Sequence, residues 1–169
     1  NGDVSFRADG KAVSTRSGKK ENPLVSIEPS GNSIVIWKGY DKKKNPELFV
    51  QKLSKNGLRI WQNDGLQITD GKFEKIDYSL RVDRKGYTHI SYIAKNSSAS
   101  NKFSVRYQRL TTEGKTLSDS LNGIIYSSNN TISETEIIPD NKGGSIIFWL
   151  ENKKKKTVLR VQFVDSTGS

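Results

Sequence analysis

The stretches GNSIVIW (residues 31–37), GYTHISY (86–92) and GGSIIFW (143–149) are three versions of one phrase, a turn glycine leading into a hydrophobic strand that closes on an aromatic ring. Their leading glycines, Gly31, Gly86 and Gly143, stand 55 and 57 positions apart. A second phrase follows each at nearly constant distance: VQKLSKNG (50–57), YQRLTTEG (107–114) and VQFVDSTG (161–168) place a hydrophobic residue, a glutamine and a turn glycine in register. A period of this length marks an array of supersecondary units, which stack side by side because no single unit buries its apolar face alone.

The opening residues extend the pattern. NGDVSFRADGKAV (1–13) overlays NGLRIWQNDGLQI (56–68), with Phe6 on Trp61 and Asp9-Gly10 on Asp64-Gly65. The chain is therefore expected to open on the last strand of a unit and to close, at Gly168, on the turn that precedes such a strand. This divides a single repeat domain spanning 1–169 into residues 1–22 (last strand of a unit plus linker), 23–77 (unit 1), 78–134 (unit 2) and 135–169 (unit 3, lacking its last strand). A ring closed by N- and C-terminal strands in one unit would give this permutation, and so would a fragment cut at an exposed turn. The start at Asn1 and the absence of Met favour a processed or excised chain.

Each unit reads as four short strands. Residues 24–28 form the first, and PSGN (29–32) ends it, a turn signal that returns around Gly86 and Gly143. The second is nearly all apolar in two of its copies, which implies burial on both faces, as in a sheet with neighbours above and below it. The third is ambiguous in one copy: Asn45-Pro46-Glu47 before Leu48 and Phe49 reads as a capped helix. The alternation of Phe103, Val105 and Tyr107 and the β-branched residues of 157–164 overrule that and predict a strand. The fourth is placed at 58–61, running into the turn at Asp64-Gly65, which recurs at Asn122-Gly123. The fold class is all-β, three four-stranded units as β-propeller blades in an incomplete or oligomer-completed ring; the alternative is a β-trefoil, whose units are usually shorter.

Composition bounds the function. Apolar residues are 33% of 169 and mean hydropathy is −0.68, which suits a thin, sheet-rich structure. No apolar run approaches the length of a membrane helix, and the chain has no Cys, so thiol catalysis and zinc-thiolate sites are excluded. The net charge of +10 suggests an anionic partner. Its distribution argues against nucleic acid, because Lys greatly outnumbers Arg and the densest runs, Lys42-Lys43-Lys44 and Lys153-Lys154-Lys155-Lys156, contain no aromatic residue.

The string of turn glycine, hydrophobic run ending in Trp, variable loop, hydrophobic-Gln-basic-Leu strand, Asn-Gly, aromatic and Asp-Gly resembles the propeller-type repeats of secreted and surface proteins of bacteria with type IX secretion. The likeness covers essentially the whole chain and is clearest over 31–68. It departs from that pattern where Lys38, Ile93 and Leu150 follow the aromatic in place of an acidic residue. The resemblance implies a propeller fold and a location outside the cell or at the outer membrane surface, in a larger protein or one trimmed from it.

Few residues carry chemistry. His89, the only histidine, stands where Ile34 and Ile146 stand in the other units, and no P-loop, zincin helix or Ser/His/Asp spacing accompanies it. Glu28, Asp83 and Asp140 share one turn position, so around a ring they would face one end and could gather a cation or a polar ligand; capping of the turn amides explains all three without a ligand and is the favoured reading. Gln51, Gln108 and Gln162 recur in the third strand and are expected to tie neighbouring backbone together. Contact with a partner is expected in the loops between second and third strands, at Tyr40, Lys42, Lys43, Lys44, Lys102, Lys153, Lys154, Lys155 and Lys156, because loops vary where the scaffold repeats. Together these features predict a non-enzymatic module without cofactor or metal that presents its loops to a protein or glycan at the cell surface, as a homodimer or as part of a larger chain or complex. A lectin-like glycan-binding module is the alternative, and a glycan or peptide hydrolase fragment the third reading.

Overall fold

The computed structural model describes residues 10–41, 44–69, 73–96, 102–117 and 123–167. The expectations for residues 1–9, Lys42, Lys43, Asn122 and Gly168, and for most of the loop before Lys102, lie outside these. Eleven strands among the described residues form three antiparallel meanders. Unit 1 is β1 (Glu21–Ile27), β2 (Ser33–Tyr40), β3 (Pro46–Leu53) and β4 (Leu66–Gln67); unit 2 is β5 (Glu74–Val82), β6 (Thr88–Lys95), β7 (Phe103–Leu110) and β8 (Gly123–Ser128); unit 3 is β9 (Thr131–Pro139), β10 (Ser145–Lys153) and β11 (Lys156–Val164). First strands lie side by side, β5 against both β1 and β9, so they form the inner edge and the later strands the outer one.

The turn between first and second strands is the same object three times. The amides of Gly31 and Gly86 donate to the carbonyls of Glu28 and Asp83, and Gly31, Gly86 and Gly143 all take positive φ (84°, 84° and 107°), which a side chain rarely tolerates. The third strand is a strand in all three units. In unit 1, Pro46 pairs with Tyr40 and Leu53 with Ser33, so the helix-like start at Asn45-Pro46-Glu47 yields to sheet pairing on both sides.

The fourth strand is displaced from its expected place. Residues 58–61 make one bridge, Arg59 to Leu53, and the ladder resumes only at β4. The cause is Gln51, whose amide nitrogen donates to the Gln62 carbonyl at 2.6 Å while its oxygen accepts from the Trp61 amide at 3.2 Å. One side chain thus stands in for a rung, and Trp61 is released to pack on unit 2, its indole donating to the Thr112 carbonyl. Gln108 is similarly turned toward Thr116.

Two cores fill the spaces between units. Ile34, Ile36, Leu48 and Val50 of unit 1 meet Tyr78, Leu80, Ile90 and Tyr92 of unit 2; Ile93, Val105 and Tyr107 of unit 2 meet Ile137, Ile147 and Trp149 of unit 3. Each unit therefore has a leading face, carrying the Trp or Tyr, and a trailing face, and β6 is buried along almost its whole length. Polar bolts cross the same gaps. Lys52 reaches the Thr112 carbonyl at 3.1 Å, and its counterpart Arg109 reaches the carbonyls of Gly143 and Ser166. Residues 11–16 do not pair with β11. They lie along residues 56–64 of unit 1, through Lys11 to the Asn56 carbonyl, Arg59 to the Ala12 carbonyl and the Thr15 amide to the Asn63 carbonyl, much as residues 61–66 lie on unit 2.

Candidate functional site

The two ends of the stack differ in chemistry. At the turn end sit Glu28, Asp83 and Asp140, in the shared position expected from sequence, and each carboxylate is engaged. Asp83 Oδ1 accepts from the amides of Lys85 and Tyr87, and Asp140 Oδ1 from those of Lys142 and Gly144. Glu28 pairs with Lys52 at 2.7 Å and accepts from Ser30 and Asn32. The Asp140 pKa lies below its ordinary value because the turn amides bind its anion against the cost of desolvation. A cleft of about 310 Å³ opens here between units 1 and 2, lined by Glu28, Lys52, Arg84, Lys85 and Thr112 among others. No group of three or more His, Asp or Glu suited to a metal ion occurs among the described residues.

Between units 2 and 3 the fold assembles a group that sequence spacing conceals. His89 Nδ1 lies 2.8 Å from Ser145 Oγ and 3.0 Å from Tyr107 Oη, while Nε2 lies 3.1 Å from Asp83 Oδ2. These are the residue types of a hydrolytic triad, joined across 56 and 6 positions. The order is reversed from that of a nucleophilic triad, in which serine faces Nε2 and the acid Nδ1. His89 and Ser145 are also 0% exposed, so the group is an interior staple between two units. Burial lowers the His89 pKa against the raising effect of Asp83, which keeps the ring neutral with Nε2–H donating to Asp83.

The opposite, loop end carries the larger cleft, about 750 Å³, lined by Thr15, Arg16, Lys19, Tyr40, Asp41, Lys44 and Asp64 among others. Two of the expected loop contacts, Tyr40 and Lys44, are in it. Tyr40 Oη donates to Glu21 at 2.6 Å, a bond that raises the phenol pKa and, with Lys19, lowers that of Glu21. Arg16 lies over the Phe49 ring at 4.4 Å and donates to the Tyr40 carbonyl. Lys153, Lys154, Lys155 and Lys156 form a tight hairpin rather than a long loop, because Lys153 and Lys156 are themselves a ladder pair. Lys102 is exposed immediately before β7.

The inner strands reach this end with a register shift in every unit, between Glu21 and Leu24, between Lys75 and Asp77, and opposite Trp149 and Leu150. Bulges re-aim side chains where strands approach a site. Asn22, Asp77 and Glu134 occupy equivalent positions there, 55 and 57 residues apart, and Asn22 and Glu134 have positive φ. Asp77 Oδ2 accepts the amide of Thr135, the residue after Glu134, at 2.8 Å; Glu136 accepts from Ser79 and Arg81. These residues were missed because the strand ends look like linker, although the repeat period aligns them.

No protein-family model matches this chain, and no curated protein matches it in sequence. Solved structures match its fold. An endo-arabinase from Bacteroides thetaiotaomicron superposes with a TM-score of 0.50 at 10% identity, over 92% of this chain and 60% of that one. A thermostable family-43 glycoside hydrolase gives 0.54 at 11% identity, over 86% and 50%. The chain thus spans between half and three fifths of the proteins it resembles. These are β-propellers, so the propeller reading stands and the trefoil does not. The comparison also corrects the expectation of a non-enzymatic scaffold, since the two solved propellers named above are glycoside hydrolases.

Proposed function

We propose that this chain is part of a glycan-hydrolysing β-propeller that works outside the cell and takes its substrate at the loop end. The observation that carries the reading is the hydrogen bond from the Thr135 amide, next in the chain to Glu134, to Asp77 across the bulged inner strands of units 2 and 3. Glycoside hydrolysis asks for two carboxylates flanking one bond, one to protonate the leaving oxygen and one to act on the opposite side of the sugar. Asp77, held through one oxygen by a backbone amide, is the fixed carboxylate, and the exposed Glu134 is the free one. The fold likeness to glycoside hydrolases supports the same chemistry, with arabinan as the first polysaccharide to test. The resemblance to type IX secreted repeats supports the extracellular setting.

The test is release of reducing ends from a panel of arabinan and other cell-wall polysaccharides by the wild type, Asp77→Asn and Glu134→Gln. Turnover that falls at least about a hundredfold in each variant supports the assignment. Turnover untouched by both variants removes these residues from it. A second reading, glycan binding without hydrolysis, has its own support in the 750 Å³ cleft with Tyr40 beside it. Saturable binding without turnover, weakened by Tyr40→Ala, selects that reading; neither turnover nor binding overturns both.

A further inference from the structure

We propose that the turn-end cleft between units 1 and 2 binds a phosphate monoester group. The inference does not rest on the glycan reading, whose site lies at the opposite end. It comes from comparing two gaps that the repeat makes equivalent. In the gap between units 2 and 3 the Arg84 amide donates to Asn141 Oδ1 at 3.2 Å, so one turn is tied to the next. The same two positions in the gap between units 1 and 2 are held by Pro29 and Arg84. Proline has no amide hydrogen and a guanidinium has only donors, so both halves of that bond are missing.

The side-chain bolt differs as well. Arg109 spans the later gap and donates to the carbonyls of both Gly143 and Ser166. Lys52 takes its place in the earlier gap, where its ammonium meets the Thr112 carbonyl at 3.1 Å and Glu28 at 2.7 Å. An ammonium has three donors, of which these partners use two. A compact ammonium also does not span what a forked guanidinium spans. The cleft of about 310 Å³ lies in this gap, between the turns of units 1 and 2.

Charge names the ligand. Among the described residues, Glu28 is the one carboxylate lining the cleft, and Lys52 neutralises it. Arg84 and Lys85 also line it, are exposed, and form no ion pair among the described residues, so two positive charges are left over. Two cations with donors to spare match an anion of two charges and several acceptor oxygens. A phosphate monoester carries close to two negative charges near neutral pH and presents three such oxygens. The Arg84 guanidinium adds geometry, because its parallel N–H groups fit two phosphate oxygens at once. Such a ligand supplies the acceptor that Asn141 supplies in the later gap.

The experiment is isothermal calorimetry at fixed ionic strength with two probes of the same shape, methyl phosphate, a dianion at about pH 8, and methyl sulfate, which carries a single charge. Wild type is expected to bind methyl phosphate saturably, one per chain, and at least about tenfold more tightly than methyl sulfate. Arg84→Ala/Lys85→Ala is expected to weaken methyl phosphate at least about tenfold. Lys142→Ala, at the position equivalent to Lys85 in the next turn, is expected to leave it unchanged. All three side chains are exposed, so circular dichroism and melting temperature are expected to stay at wild-type values. Absence of saturable binding overturns the proposal. Equal affinity for the two probes overturns it too, as does binding that the double variant retains or that Lys142→Ala weakens as much.

Discussion

Glu151 is almost fully buried at the foot of unit 3 and remains an anion. Asn130 donates to it at 2.8 Å, Ser128 at 2.7 Å, Tyr126 at 3.2 Å and Arg160 at 2.7 Å, and these bonds hold its pKa down at about 2. It ties the β8–β9 linker to β10. Glu151→Gln keeps the shape but places an amide NH₂ among donors, and is expected to cost roughly 2 kcal/mol in urea unfolding. The sign with pH follows: a carboxylate whose folded pKa is depressed contributes stability above its unfolded value near 4.5, lost as pH falls toward 2. His89 acts at milder pH. Its folded pKa lies below the ordinary 6.5, chiefly through burial with Arg109 adding to it and Asp83 and Asp140 opposing, so the unfolded chain takes up a proton first and stability declines as pH falls through 6.5. Glu47, raised by burial, works in the opposite sense, which makes the difference between proteins the quantity to read. Wild type is expected to lose more urea midpoint than His89→Ile between about pH 7.5 and 5.5; equal losses would show that His89 does not set the decline.

The strand and its turn were the most legible level. One copy of the third strand reads as a helix, and comparison of three copies reverses it, because β-branched and alternating residues at the same positions have no helical reading. The fourth strand failed at this level: Gln51 takes over the backbone bonds of residues 61 and 62, a substitution of side chain for ladder that periodicity does not report. The charged residues at strand ends act between elements. Lys52 is buried against Glu28, so Lys52→Met leaves an unpaired carboxylate in the gap between units 1 and 2 and is expected to cost about 3 kcal/mol. Adding Glu28→Gln removes that charge and is expected to recover part of the loss. Chemical denaturation of the two single variants and the double variant checks it, and additive losses would show the pair to be uncoupled.

Across the whole molecule, protection is graded by position in the stack. Unit 2 is covered on both faces, while β1 and β11 have one face open, so amides of β6 and β7 are expected to exchange with deuterium at least about a hundredfold more slowly than those of β11. Uniform exchange across the three units would show that they do not differ in cover. The same layering explains what was readable beforehand. The sequence by itself determined the repeat, its period, the turn that carries Glu28, Asp83 and Asp140, and the all-β class, because these depend on residues close together in the chain and recur three times. Only the tertiary structure decided that His89, Ser145 and Asp83 meet, that Asp77 of unit 2 accepts the Thr135 amide of unit 3, and that one apolar face is covered while its equivalent is open. Those outcomes depend on which unit lies against which, and side chains about 55 residues apart are brought together by packing between units, a relation that no local pattern encodes.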